Sequence, residues 1–546
     1  VLYISNQGEK ANTSESFLKG TFILAIAGIV VKVIGSLNWI FVSRVLGGEG
    51  IGLYQMAFPI YLLALSISTA GVPVAISIIT AEKIALKDIW GAKRIFRISL
   101  ALMAVTGLFF SLATYFGAGF LIEYRFIRDP RAYYSVAALA PAIFFVTLLA
   151  SSRGYLQGWQ RMTPTAVSQI VEQIFRVITM ILFANLLLPQ GLEFAAAGAS
   201  LGACAGAVAG VIVLIYYHWQ LERDITREYS GQIVETKTKH ESSLKIIRRI
   251  FALALPVSAS SIMLPVVANL DLMIVPARLE VAGYSVSQAT ELFGYLTGMA
   301  VPLINLATIL TASLAVSIVP AISEAQALGD KLRSFQQTSA AMRISNLISF
   351  PAFIIVFMLD TPISELIYNA TGAGPTVRVL STSIVLLGIH QVTTGVLQGL
   401  GHTSIPMMNM IIAAIAKVAL NWGLTAQPAL GIQGAAWATV ADIGIAAIMN
   451  LYFLHKYIGY NIDLKQVVKT IFATTLMGIS LYFSYLYAMA YFQMNSVATL
   501  GSILVGCIVY VVVLIFIGGI SQRDVERVPM VGSILTKLLR RIGAFK

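Results

Sequence analysis

The strongest constraint on this chain is a recurrence of about fourteen apolar stretches near twenty residues long, at 21–43, 52–80, 97–120, 132–151, 164–188, 194–218, 247–275, 290–319, 341–359, 376–400, 404–425, 430–455, 467–491 and 497–519. A helix of about 20 residues rises about 30 Å, the depth of a bilayer's hydrocarbon layer. The expected fold class is therefore all-α and integral to a membrane, with about 14 transmembrane helices. Composition agrees: only 11% of the 546 residues are charged and 58% are hydrophobic, against about 25% charged in a soluble domain. Pro59, Pro73, Pro141, Pro256, Pro265 and Pro302 fall inside the stretches, so kinked helices are expected where neighbours satisfy the freed carbonyls. The polar first twenty residues precede an apolar stretch without a cleavage site, which reads as a retained first helix.

Lys and Arg sort unevenly between alternate loops, 28 on one side and 6 on the other, with Lys32, Arg176 and Lys417 inside helices. Basic loops stay cytoplasmic, so both termini are expected there. This asymmetry accounts for most of the net charge of +12 without nucleic acid as a partner. The basic residues of 83–97 and 237–249 read as topology anchors that also touch anionic lipid. Cys204 and Cys507 lie in apolar runs and imply neither a disulfide nor a metal site.

An internal repeat is visible. Residues 152–158, Ser-Arg-Gly-Tyr-Leu-Gln-Gly, resemble 393–399, Thr-Thr-Gly-Val-Leu-Gln-Gly, at a separation of 241, which also separates Arg176 from Lys417; Pro59 and Pro302 are 243 apart. Six helices per repeat gives both repeats the same orientation, a transporter architecture. The expected organisation is an N-lobe at 1–218, a charged cytoplasmic linker at 219–246, a C-lobe at 247–459, and two further helices with a cytoplasmic tail at 460–546. An enzyme acting on lipid-linked sugars is the competing class. The chain shows no HExxH, no phosphate-cradling glycine loop and no paired catalytic carboxylates, and His390 and His402 near the second motif read as polar helix ends.

Charges inside apolar helices are expensive and point to function. Lys32 lies 13 residues beyond Lys19, too deep to reach the near surface easily. Arg176 has Glu172 one turn earlier, so it reads either as a neutralised structural pair or as a cavity cation. Lys417 has Ala413 and Asn421 at the corresponding positions and reads as functional. Of the acids, Asp271 with Asn269 suggests a cation or proton site, or else a partner for Arg278; Asp442 lies in the twelfth stretch. The surplus of positive charge suits an anionic substrate.

The runs Ala268-Asn-Leu-Asp-Leu-Met-Ile-Val-Pro-Ala-Arg-Leu279, Leu292-Phe-Gly-Tyr-Leu-Thr-Gly-Met-Ala-Val-Pro-Leu-Ile-Asn305 and Ser317-Ile-Val-Pro-Ala-Ile-Ser-Glu-Ala325 closely resemble the stage V sporulation protein B group of polysaccharide-biosynthesis membrane proteins. That group is related to the lipid II flippases within the multidrug/oligosaccharidyl-lipid/polysaccharide exporter superfamily. The resemblance implies a V-shaped pair of lobes around a cationic cavity, with the last two helices forming a groove for a polyprenyl tail. In the lipid II flippases, basic residues of helices 1, 2 and 8 hold the pyrophosphate. Here no Lys or Arg falls between Ile51 and Ala81, so Lys32 and Arg44 inherit that role. Some relatives hold sodium in the second lobe, for which Asp271 is the nearest counterpart.

The expected function is a flippase for an undecaprenyl-pyrophosphate-linked saccharide, lipid II or a related cell-wall precursor, in a bacterial cell membrane. No covalent chemistry or cofactor is expected beyond coupling to sodium or protons. The substrate-binding residues are expected to be Lys32, Arg44, Arg176 and Lys417, and the ion-coupling residues Asp271 and Asn269. Expected partners are the lipid-linked oligosaccharide, the phospholipid bilayer and cell-wall synthesis enzymes. A cation-coupled multidrug exporter and a non-transporting scaffold of cell-wall synthesis remain the alternatives.

Overall fold

A computed structural model describes residues 5–69, 71–229 and 242–519. Part of the expected linker (230–241) and the expected tail from 520 lie outside the described residues. No strand occurs among those described. The helices are α1 (Ser5–Thr69), α2 (Val72–Ala85), α3 (Ile89–Glu123), α4 (Ala132–Gly158), α5 (Thr163–Leu187), α6 (Leu192–Tyr229), α7 (Ser243–Val281), α8 (Val286–Gly294), α9 (Val301–Ala307), α10 (Ile309–Ala327), α11 (Lys331–Met358), α12 (Asp360–Tyr368), α13 (Gly374–Ser381), α14 (Ser383–Gly399), α15 (Ser404–Leu424), α16 (Ile432–Ile458), α17 (Leu464–Phe492) and α18 (Asn495–Phe516).

Among the described residues twelve helices are long and apolar enough to cross a membrane, or thirteen if the bent pair Thr371–Ser381 with Ser383–Gly399 is one span. One of the twelve, Ile26–Ala85, is 60 residues long, about 90 Å of helix and enough for two crossings. It breaks at Gly47, whose φ of 63° and ψ of −172° suit a residue without a side chain. The chain is thus a multi-pass membrane protein with a count near fourteen.

Three expected spans are interrupted for identifiable reasons. The stretch 52–80 breaks at Gly71 (φ 67°), with Pro73 opening α2. The stretch 290–319 passes through a π-helical turn, Tyr295–Ala300, immediately before Pro302, which denies Gly298 its usual i→i−4 donor. The stretch 376–400 bends by 48° between α13 and α14.

By packing, the chain forms two units. Unit 1 takes the chain to Glu280 together with Tyr284–Gly294; unit 2 takes Val281–Gly283 and the chain from Tyr295. This boundary falls later than the charged segment 219–246 that separates the sequence repeats. The reason is apolar: Ile246, Ile250 and Ala254 of α7 join Leu221 and Ile225 of α6 in the unit 1 core, so the seventh helix is built into unit 1. A Cβ on Gly52 would lie 2.0 Å from the Thr290 carbonyl oxygen, and one on Gly294 would lie 2.2 Å from that of Gly48, so α8 crosses α1 where neither backbone carries a side chain.

Within each unit the repeat reappears as geometry. A Cβ on Gly154 of α4 would meet the Pro73 oxygen at 2.5 Å, and one on Gly395 of α14 would meet the Ala315 oxygen at 2.4 Å. Gly158 lies likewise against Ser77 and Thr80, and Gly399 against Val319 and Ile322. The turn before the next helix also repeats. Lys87 (φ 58°) precedes Asp88, which accepts from Gly91 N, and Gly329 (φ 68°) precedes Asp330, which accepts from Arg333 N. Both are N-caps, a carboxylate meeting one of the unpaired amides of a helix start.

Candidate functional site

In unit 1, α5 packs along α6 because α6 offers Gly198, Gly202, Gly206 and Gly210 at four-residue intervals. Cβ atoms on Gly198, Gly202 and Gly206 would lie 2.7, 2.8 and 2.6 Å from the carbonyl oxygens of Phe183, Arg176 and Glu172. Such close backbone approach is how membrane helices gain packing without a hydrophobic driving force. It also fixes the turn of α5 that carries Glu172 and Arg176.

Those two residues do not form an isolated pair. Arg176 Nη2 donates to Glu172 Oε1 at 3.0 Å, and Arg153 Nη2 donates to Glu172 Oε2 at 2.8 Å. Arg153 Nε also donates to Ser168 Oγ at 3.0 Å. The three charged side chains are 16% (Arg153), 13% (Glu172) and 22% (Arg176) exposed. Sequence reasoning assigned Arg153 to a loop, because the apolar run ends at 151; α4 continues to Gly158 and turns Arg153 onto α5.

Arg176 also acts electrostatically on Tyr61 and Tyr54. Both phenols are buried and belong to a ladder of rings, Trp39, Tyr54, Phe58 and Tyr61, with successive centroids 5.7, 5.6 and 5.8 Å apart. The α1–α5 contact beside it uses Asn38 Nδ2, which donates to Met180 Sδ at 3.1 Å.

The corresponding seam of unit 2 carries different groups. Its glycine contact persists, since a Cβ on Gly434 would lie 2.5 Å from the Leu424 oxygen, as at Gly198 and Phe183. In that register Ala438 and Asp442 of α16 take the places of Gly202 and Gly206, and Ala413 takes that of Glu172. Lys417 lies on the buried stripe Asn409, Ala413, Lys417, Asn421 of α15 and is only 7% exposed. Lys417, Asn421 and Asp442 each have polar or electrostatic partners. Thr394 stands at the place of Arg153 and accepts from Asn450 Nδ2 at 3.0 Å, while Asn409 Nδ2 donates to Asn450 Oδ1 at 2.8 Å.

The remaining expected site residues are dispersed. Lys32 and Arg44 are exposed on α1. Asn269 of α7 commits its amide protons to the carbonyls of Pro59 and Pro265, at 2.8 and 2.7 Å. Asp271 is half-buried two residues on, within continuous helix. Positions i and i+2 point about 200° apart on a helix, so the side chains of Asn269 and Asp271 leave α7 in different directions.

A second polar cluster, missed in the sequence, clasps α8 to α1 within unit 1. Arg131 donates to Glu49 at 2.7 Å and to Asp129 at 2.8 Å. Thr290 donates to Asp129 at 2.8 Å, and Ser287 donates to Glu49. Hydrogen bonding to Asp129 pushes the Arg131 pKa up from its ordinary value. The clasp is internally satisfied and offers a ligand little.

Known proteins share this architecture. The family model described as polysaccharide biosynthesis protein matches residues 17–326, and the MatE model matches 280–422. Stage V sporulation protein B of Bacillus subtilis (strain 168) is 29% identical over 530 residues, covering 96% of this chain and 99% of that protein. Lipid II flippase MurJ of the same organism is 24% identical over 486 residues, covering 86% and 88%. A solved structure of lipid II flippase MurJ in an inward closed conformation matches in fold with a TM-score of 0.68, over 93% of this chain and all 100% of that one, at 17% identity.

Proposed function

Because the chain belongs to the polysaccharide biosynthesis protein family, within a superfamily of multi-pass membrane transporters, we propose that it flips an undecaprenyl-pyrophosphate-linked saccharide, lipid II or a related cell-wall precursor, between membrane leaflets by alternating access. It is a transporter and not an enzyme.

The observation that carries this reading is the surplus of cations on membrane-spanning helices. Lys32 is exposed on α1, and Arg153 and Arg176 share the single carboxylate of Glu172. A guanidinium or ammonium at mid-membrane costs about 2.5–3.5 kcal/mol on insertion scales. A diphosphate passing along the helices offsets that cost through charge-assisted hydrogen bonds, while the polyprenyl tail stays in lipid. Arg44 extends the same positive field along α1. The Lys and Arg asymmetry between loops supports cytoplasmic termini, and reporter fusions near residues 5 and 540 should behave as cytosolic. Asp271 is our candidate for coupling to an ion gradient, and Asp271→Asn should weaken gradient dependence without impairing insertion.

The test is complementation of a bacterium depleted of its lipid II flippase, with the leaflet location of lipid II as readout. The chain should restore outer-leaflet lipid II, and Lys32→Ala at normal expression should not. Full rescue by the Lys32→Ala, Lys417→Ala double variant would remove the cationic mechanism and favour the scaffold. The MatE match over 280–422 favours a second reading, a cation-coupled drug exporter. Its expected acid in the N-terminal repeat would be Glu172, which two arginines already occupy, so drug susceptibility of a deletion strain should be unchanged.

A further inference from the structure

We infer that Arg153 is a positioning residue that sets the charge of the unit 1 seam and so gives that seam an anionic ligand, a phosphate or diphosphate group; the inference rests on the transport reading above. Without Arg153, Glu172 and Arg176 are an i,i+4 pair with no net charge. With it, two guanidinium groups share one carboxylate, 2.8 and 3.0 Å away, and a formal positive charge is left over inside the membrane-spanning part of the chain. Arg176 Nε is buried without a hydrogen-bond partner, so the donor set is not used up by Glu172. The planar fork of a guanidinium matches the oxygen spacing of a phosphate.

The second unit supplies an internal control. There the place of Arg153 is held by Thr394, tied to Asn450, and the acid comes from α16 as Asp442 rather than from α15. The formal charges of Lys417 on α15 and Asp442 on α16 then sum to zero. A surplus charge retained in one repeat and absent from the other is a feature of unit 1 that packing alone does not require.

The experiment uses the purified full chain in nanodiscs of phosphatidylcholine, with binding of undecaprenyl diphosphate, phosphatidylglycerol and inorganic pyrophosphate measured separately. Losing the surplus charge should weaken the charge-assisted hydrogen bonding of the seam and lower the affinity of Arg153→Gln for undecaprenyl diphosphate about ten-fold or more. The double variant Arg153→Gln, Glu172→Gln has the same formal surplus as the parent and should return to within about three-fold of it. A purely structural role would leave the double variant as poor as the single one, and that result, or an unaltered Arg153→Gln, would overturn the inference. The same charge-dependent pattern with phosphatidylglycerol alone would keep the anion seat and assign it to bilayer lipid; with pyrophosphate alone it would assign it to the free diphosphate group. A parent chain that binds in this charge-dependent way yet fails complementation would sink the transport reading and leave the inference standing.

Discussion

Unit 1 presses Gly154 and Gly158 of α4 against α2, and unit 2 presses Gly395 and Gly399 of α14 against α10 in the same register; one helix further on, the two units part. Unit 1 places its acid, Glu172, on α5 opposite Gly206, whereas unit 2 places its acid, Asp442, on α16 opposite Ala413. Bulk and charge have changed sides of the helix pair together. Backbone approach depends on residue size at a few fixed turns, so it repeats closely. Charge depends only on a partner being within reach, so it can migrate between helices while the fold stays the same.

The largest expected effect tests the part that repeats. Gly154→Val and Gly395→Val each drive a side chain into a carbonyl oxygen at 2.5 and 2.4 Å. Overpacking of this kind costs about 1–3 kcal/mol or more. Both variants should lose most detergent-stable protein, and by similar amounts, in thermal unfolding followed by size-exclusion chromatography. Tolerance at one site only would break the structural equivalence of the units.

Next comes the part that differs. Arg176→Met leaves Glu172 paired with Arg153, so its melting temperature should fall only modestly. Lys417→Met removes a cation that is only 7% exposed and leaves its polar or electrostatic partners without it; an uncompensated buried charge is destabilising. Lys417→Met should therefore be the more destabilised of the two, and adding Asp442→Leu should restore part of the loss. Equal losses in Arg176→Met and Lys417→Met would mean that Arg153 does not protect Glu172.

These contrasts also mark how far the sequence was legible. The apolar stretches and the 241-residue repeat were visible because membrane crossing and close helix packing impose length and small residues directly on the chain. Arg153 was misread because counting basic residues by loop treats every charge beyond an apolar run as solvated. The repeat itself held the missing signal, since its equivalent Thr394 is neutral beside the shared Gly and Leu-Gln-Gly of the motif. Asn269 and Asp271 are neighbours in sequence, but the carbonyl of Pro59 that Asn269 binds lies on another helix, and sequence proximity carries no label for it. The unit boundary was hidden for another reason: the docking of α7 depends on Ile246, Ile250 and Ala254, and apolar residues at a helix start carry no label for the surface they will meet.

The smallest effect concerns the helices that lie outside the repeat. Pro351 in α11 has no amide proton, so the carbonyl of Leu347 lacks its helical donor, and an unpaired carbonyl inside a bilayer is costly. The hydroxyl of Tyr510, on α18, donates to that oxygen at 3.0 Å, so the second C-terminal helix supplies the bond that the proline removes. Tyr510→Phe should lower stability by about 0.6 kcal/mol, the average for hydrogen bonds between membrane helices, and by no more than about 1.7 kcal/mol. In a Pro351→Ala background the backbone amide of residue 351 takes over the Leu347 carbonyl, and the same Tyr510→Phe change should then cost close to nothing. Unfolding of all four proteins in one detergent gives the coupling between the two sites. A Tyr510→Phe penalty that persists undiminished in the Pro351→Ala background would mean that Tyr510 holds α18 to α11 by packing alone, as glycine contacts do elsewhere in the molecule, and not by completing the hydrogen bonding of a broken helix.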